Sequence, residues 1–315
     1  MKTREKIIAI ACLPKLTLEQ RLVLVSSLLT VDEILRLTRM QLCEIMGHPI
    51  FATWSATYAL KTFPSFFSWY QKEGNEIVFY GDSHYPPLLR TIADPPFLLT
   101  YRGNLSHPGL ALSIVGTRNA TLQALQAAYA LGLECGAAQV LVVSGFARGI
   151  DLAAHGGACA IGAPSWAILG SGLSYLSKMS KYRTQRMLDC QGAFISEFHP
   201  QAQPLPWRFP IRNRLIAALA PVTVVIQAPC KSGALITADY ALRQGREVVV
   251  HHQGTSSSGS AALIEDGAPV VHWLGDVASE THIKYSPMRR AIPTHSGGTF
   301  EFDSQQYTLM PLGTL

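Results

Sequence analysis

Apolar positions along the 315-residue chain follow two patterns. Through residue 75 they recur at helical spacing. "LTLEQRLVLVSSLL" opens with Thr17 and has Gln20 three residues on, a capping-box pattern. "TVDEILRLTRMQLCEIMG" carries Leu and Ile on one helical face, and Gly47 is a stop signal. "ATWSATYALKTFPSFFSWYQKEG" predicts a short helical pair broken at Pro64. Residues 1–75 are therefore expected to form a small all-helical domain of four or five helices. Residues 76–109 alternate short strands with turns at Pro86-Pro87 and Pro95-Pro96, which suits a connector entering a sheet.

From residue 110 the pattern switches to short apolar runs separated by helical stretches. Strands are expected at 110–115, 140–144, 166–169, 193–196, 222–227 and 247–252. Helices are expected at 120–136, 150–160, 182–190, 212–219 and 234–244. Uninterrupted apolar strands alternating with helices indicate a parallel sheet covered on both faces. The fold class is α/β: a Rossmann-like, doubly wound, mostly parallel sheet over 110–274, preceded by the helical domain. Residues 275–315 read as a short tail with one hairpin around "TFEF" and "YTLM".

Composition narrows the function classes. Hydrophobic residues make up 48% and charged residues 15%, which excludes a disordered, solvated chain. Net charge is +5, and the basic excess lies in residues 116–250, with twelve Lys/Arg against six Asp/Glu. That excess suits an anionic ligand. No apolar stretch is long enough for a membrane span, and "MKTREKIIAIACLPKL" is too short for a secretory leader. The six cysteines form no C-x-x-C pair, so reduced thiols, no metal site and a cytoplasmic location are expected.

Four segments fall where a strand ends and a helix begins, the edge at which such sheets bind ligands. "SIVGTRNAT" offers Gly116 for a turn, Arg118 as a cation, and Asn119 or Thr121 as a cap. "VSGFARGIDLAAH" offers Ser144, Gly145, Arg148, Gly149 and Asp151. "LGSGLS" contributes Gly170 and Gly172, and "QAPCKSGALITADYAL" contributes Lys231, Ser232 and Gly233. Backbone N–H groups at a helix start, with an adjacent Arg, hold anions. The first junction has no G-x-G-x-x-G and the second strand no closing acid, so a dinucleotide cofactor is not expected. A Walker-type nucleotide loop is absent too. A fifth segment, "PLPWRFPIRNRLIAAL", sets Arg208, Arg212 and Arg214 beside Trp207 and Phe209. Guanidinium groups grip phosphates and an aromatic ring supports an unpaired base. Equally, Phe209 suits the core, and the arginines suit the sheet's own carbonyls. Asp151 and His155 share a helix face, which fits a general base or a structural hydrogen bond, with no nucleophile beside them. His251 and His252 end a strand, so their side chains are expected on opposite faces.

Taken in order, "YPPLLRTIADPPFLLTYRGNL", "SIVGTRNAT", "VSGFARGIDLAAH", "ILGSGL", "SEFHP", "RFPIRNRLIAAL", "SGALITADYALRQGREVVV" and "ALIEDGAPVV" resemble the DNA-processing protein A (DprA/Smf) family. The resemblance covers about residues 80–272, with a looser match to the family's sterile-alpha-motif-like helical domain. It implies a homodimeric, non-enzymatic protein that binds single-stranded DNA without a cofactor. Such proteins protect incoming strands in natural transformation and help load the recombinase RecA. The groove expected from junctions and resemblance together comprises Gly116, Arg118, Asn119, Ser144, Gly145, Arg148, Gly149, Gly170, Lys178, Arg208, Phe209, Arg212, Asn213, Arg214, Lys231, Ser232 and Gly233.

Three departures stand out. "SYLSKMSKYR" replaces the Tyr-Pro segment of many relatives, although Lys178, Lys181 and Arg183 keep it basic. "HHQGTSSSGSAALI" has Ala261 where relatives carry Asn. The relatives' winged-helix domain is not visible after residue 275, so an absent or reduced one is expected. Two other classes stay open. A phosphoribohydrolase would need an acid after its glycine turn, and "KSGALIT" has none. A dimeric interaction scaffold with weakened DNA binding would tolerate the altered loops.

Overall fold

The computed structural model describes residues 2–51, 53–106, 109–281, 299–302 and 305–308. The chain divides into two compact units. One comprises Met1–Arg102, Ser171–Lys178 and Ile195–Pro204; the other comprises Gly103–Gly170, Met179–Phe194 and Leu205–Leu315.

The first unit starts with five helices: α1 (Lys2–Cys12), α2 (Leu18–Ser26), α3 (Val31–Leu35), α4 (Arg39–Met46) and α5 (Thr57–Tyr70). The Thr17–Gln20 capping box forms at α2, and reciprocal boxes recur at Thr30–Glu33 and Thr38–Gln41. Each satisfies two orphan N–H groups, which matters because α3 and α4 are too short to hold by propensity alone. Ile7, Ile8, Ile10, Leu24, Ile34 and Leu42 are fully buried at the centre. Arg21 donates to the carbonyls of Ile10 and Leu13, closing the end of α1. Gly47 ends α4 in the left-handed conformation, as its position predicts. Pro64 does not break the chain into two helices; it lies inside α5. The carbonyl it deprives belongs to Leu60, which is exposed, while Ala59, Phe66 and Trp69 are buried on either side of the proline. Two strands follow, β1 (Glu76–Phe79) and β2 (Leu98–Gly103), paired antiparallel.

The second unit alternates β3 (Ala111–Val115), α6 (Leu122–Ala137), β4 (Leu141–Ser144), α7 (Ile150–Ala160), β5 (Ser165–Ile168), α8 (Lys181–Asp189), β6 (Ala193–Ser196), α9 (Arg208–Ala218), β7 (Val222–Val225), α10 (Gly233–Arg243), β8 (Glu247–His251), α11 (Ser258–Glu265), β9 (Val270–Val271) and α12 (Leu274–Thr281); β6 runs across the boundary between the units. A hairpin of β10 (Thr299–Phe302) and β11 (Gln305–Thr308) follows, two residues earlier in its second strand than the sequence suggests. The order β5-β4-β3-β7-β8-β9 is parallel throughout. Side chains alternate between faces. Leu112, Ile114, Val142, Val222 and Val224 pack with α6 and α7. Ser113 points the other way and donates to the carbonyl of Ile216 in α9. The sheet is thus doubly wound, with α6 and α7 on one face and α9 and α10 on the other.

Strand β3 lies between β4 and β7, so the chain reverses its direction of travel across the sheet there. Such a switch point leaves a crevice outside the carboxyl ends of the two strands. Further details differ from the sequence reading, and strand β7 stops at Val225, two residues before its expected end. Helix α9 begins at Arg208, four residues before its expected start, because Pro210 sits in the first turn, where its missing N–H costs nothing. Strand β8 stops at His251, and His252 enters a tight turn. The two imidazoles therefore do not point to opposite faces; their centroids are 4.6 Å apart, and His272 stacks on His252 at 4.2 Å.

Candidate nucleic-acid interface

A cleft of about 600 Å³ opens at the β3/β7 switch point. Its walls come from the loop after β3, the start of α7, the first turns of α9 and the loop leading into α10.

The β3 loop is fixed before it meets a ligand. Thr117 N donates to Gln227 O at 2.7 Å, and Thr121 N donates to Gln227 Oε1 at 3.0 Å. Thr121 Oγ1 then caps α6 by accepting from Ala124 N. Gly116 packs so closely on Ile150 that a Cβ would lie 2.4 Å from that side chain. Arg118 stands exposed at the tip, its guanidinium 5.3 Å from the Phe209 ring centroid. Asn119 Oδ1 accepts from Arg148 Nη2 at 2.6 Å, which ties the two loop cations into one surface.

The β4 loop is a buried scaffold rather than an open cradle. Ser144 is fully buried, and its hydroxyl donates to Ile114 O at 2.6 Å. That bond pins β4 to β3 and turns Ser144 away from a ligand. Asp151 Oδ2 accepts from Gly145 N at 3.1 Å and Ala147 N at 3.3 Å. Burial raises the Asp151 pKa, opposed by Arg212 and these N–H groups. Gly149 has φ +91°, and a Cβ there would lie 2.3 Å from the Thr117 carbonyl oxygen. Only glycine joins the β3 and β4 loops this tightly.

Arg212 is 3% exposed. Its Nη1 donates to Gly145 O at 2.9 Å and to Ile168 O. Burial pulls its pKa down to about 10, with Asp151 acting against that, so it stays cationic at neutral pH. Arg212 therefore takes the reading in which an arginine holds the sheet's own carbonyls, here those at the ends of β4 and β5. Its charge still faces the cleft, which it lines. Phe209 contacts both Arg118 and the backbone at Gly170, where a Cβ would approach the ring to 2.8 Å. Asn213 is buried and donates through Nδ2 to Gly233 O at 3.0 Å, bracing α10.

At the far wall Lys231 is exposed with φ +61°, a costly conformation for a non-glycine residue. Ser232 begins α10 without capping it; its Oγ is buried and has no hydrogen-bond partner among the described residues. Gly233 opens the helix beside it. The loop is held by the altered serine segment. Cys230 N donates to Ser258 Oγ at 3.1 Å, and Ala228 N donates to Ser260 Oγ at 3.0 Å.

The structure thus brings together Gly116, Arg118, Phe209, Arg212, Asn213, Lys231, Ser232 and Gly233 around the cleft. Asn119, Arg148 and Gly149 adjoin it through the bonds above. Arg208 stacks on Trp207 at 4.8 Å, and neither it nor Arg214 lines the cleft. Lys178 belongs to the first unit, its amino group 4.5 Å from the centre of the Tyr175 ring. Gln227 escaped the sequence reading, because a polar residue at a strand end carries no signal of the two bonds it accepts. Asp151 and His155 make no catalytic pair. His155 Nδ1 bonds Ser165 Oγ at 3.0 Å, and burial lowers its pKa to about 3. Among the described residues no cluster of three or more His, Cys, Asp or Glu could hold a metal ion. No described helix is long and apolar enough to cross a membrane.

Fold and cleft define a class: a Rossmann-like α/β protein with a cationic, phosphate-suited crevice at its switch point. The family model described as DNA recombination-mediator protein A matches residues 76–282, and the chain belongs to that family. It is 36% identical to the DNA processing protein DprA of Streptococcus pneumoniae over 207 residues, spanning 63% of this chain and 72% of that one. It is 31% identical to protein Smf of Escherichia coli over 255 residues, 75% of this chain and 68% of that one. Among solved structures, the X-ray structure of S. pneumoniae DprA superposes with a TM-score of 0.67 at 27% identity, covering 89% of this chain and 98% of that one. DNA processing protein A of Helicobacter pylori, described for its single-stranded DNA binding mode, gives 0.59 at 25% identity, covering 67% and 97%.

Proposed function

We propose that this chain binds single-stranded DNA across the β3/β7 cleft and acts on DNA without breaking covalent bonds. The observation that carries the reading is that exposed Arg118 and Lys231 line one cleft together with Ser232, whose hydroxyl has no partner among the described residues, and buried Arg212. Two cations and an unspent hydroxyl suit a phosphodiester. The Arg118 guanidinium plane, supported by Phe209, suits an unpaired base. A duplex would present no exposed base faces to them. The H. pylori relative, described as binding single-stranded DNA, supports the same reading.

Within that reading the protein shields incoming strands in transformation and hands them to RecA, and it works as a homodimer. Val270 and Trp273, exposed around β9, give a dimer an apolar surface to bury. Titration of labelled single- and double-stranded oligonucleotides at several salt concentrations tests the central statement. Single-strand affinity should exceed duplex affinity and fall with salt. Equal affinity for both, or no salt dependence, sinks it. Sedimentation of the full chain tests the dimer.

A further inference from the structure

We propose that the outer face of α8 is a second contact for the same single strand, with Lys181 and Arg186 taking phosphates and Tyr182 a base. The proposal rests on the cleft reading above and extends it along the sheet.

Helix α8 has nine residues, KYRTQRMLD, three of them Lys or Arg. Met187 anchors it in the core, while Lys181, Tyr182, Gln185 and Arg186 are exposed. Its one acid, Asp189, sits at the far end and accepts from Gln185 Nε2 at 2.8 Å. Neither Lys181 nor Arg186 has an ion-pair partner among the described residues. Tyr182 is 67% exposed, and Arg186 Nη1 donates to its hydroxyl at 3.3 Å. A large exposed ring beside uncompensated cations is the composition of a single-strand platform.

Helix stability does not account for this composition. Lys181 and Arg183 occupy the first turn, which holds no acid, so they oppose the helix dipole. A helix selected only for packing favours Asp or Glu there.

Position puts the start of α8 on the same edge of the sheet as the cleft, beyond β4 and β5. Strands β4 and β5 are parallel, and α7 and α8 follow them and pack together. Gly192, just past α8, abuts the Ser165 carbonyl at the start of β5, so α8 ends at the amino edge of the sheet and begins toward the carboxyl edge. Arg148, exposed beside the start of α7, lies on that same carboxyl edge. A strand leaving the cleft past Arg118 and Arg148 and following this edge toward β5 would come to the start of α8. An acidic protein would also suit the charge, but it would not need the exposed ring.

Fluorescence anisotropy on the full chain tests this, using thymidine strands of about 6 and about 20 nucleotides, bracketing the usual site size. For Lys181→Ala/Arg186→Ala, the short strand should bind as to wild type. The long strand should bind about tenfold more weakly, with a salt slope shallower by about 1.4. Tyr182→Ala should weaken the long thymidine strand about fivefold and leave an abasic strand of equal length unchanged. Unchanged long-strand affinity and slope in the double variant overturn the α8 contact, while a loss in Arg118→Ala keeps the cleft reading standing. Equal weakening of thymidine and abasic strands by Tyr182→Ala overturns the base contact. Failure of the wild-type chain to bind either strand overturns both readings. Thermal melting of each variant should match wild type or exceed it, which separates lost contact from lost fold.

Discussion

The Arg118 guanidinium lies over the Phe209 ring, 5.3 Å from its centroid, and the backbone at Gly170 packs against the same ring. Phe209 is thereby a support that holds a cation in place, and the open stacking surface is the guanidinium plane itself.

Arg118→Ala should lower single-strand affinity and reduce the salt slope by about 0.7, the signature of one lost phosphate contact. Phe209→Leu keeps the charge but frees the guanidinium. It should weaken binding a few-fold, matching a cation–π interaction of about 0.5–1 kcal/mol, and leave the salt slope unchanged. A slope change with Phe209→Leu would contradict this division of labour.

Ser232→Ala separates stability from function. A buried hydroxyl without a partner costs roughly 1–3 kcal/mol, so its removal should leave the melting temperature equal or higher. If that hydroxyl meets a phosphate, strand affinity should fall at the same time. A variant that melts earlier would show that the hydroxyl already has a structural partner.

Arg212→Met should destabilise the fold by about 3–5 kcal/mol, because it leaves Asp151 buried without its cation. Burial already raises the Asp151 pKa above its unfolded value. The native state therefore holds its proton to higher pH than the unfolded chain does. The resulting cost is absent below the unfolded pKa and grows as pH rises through the folded one. Losing Arg212 enlarges that cost. The variant's deficit should be greatest near neutral pH and shrink in acid; denaturant titrations across pH check this.

His155 gives the opposite dependence. Its pKa falls from 6.5 to about 3 in the fold. Stability is full above the unfolded pKa and is lost as pH drops below 6.5, with a slope of up to about 1.36 kcal/mol per pH unit. His251, lowered to about 4 by burial, adds to the same window. His155→Gln should flatten the loss of stability between pH 6.5 and 4. An unchanged acid profile would assign it elsewhere.

Periodicity made most of the fold legible. Strand β6 and helix α7 fall at their expected residues, since uninterrupted apolar runs and a glycine stop leave few alternatives. Pro64 and Pro210 misled for one reason. A proline's effect depends on its place in the turn and on who can solvate the orphaned carbonyl, and neither is written in the residue. The junction motifs located the cleft because parallel sheets put their ligands at strand ends. Side-chain direction was not legible. Ser144 and Arg212 carry the chemistry of phosphate ligands, yet the Ser144 hydroxyl is spent on Ile114 and Arg212 Nη1 on Gly145 and Ile168, while Arg212 Nε has no partner among the described residues. Which polar groups have unused valence emerges only from the packed structure. The role of "TSSSGS" was equally hidden, since its partners lie some thirty residues earlier, at Ala228 and Cys230.

The crevice at β3 and β7 is assembled from chain positions 118, 209 and 231, which meet only once the strand order around β3 is complete. A partly folded chain has no such crevice. A strand bound as proposed would therefore stabilise the finished sheet alone, by RT ln(1 + [L]/Kd), or about 2.7 kcal/mol at a hundredfold excess over Kd. Under the proposed function, DNA would thus favour correctly wound molecules over partly folded ones.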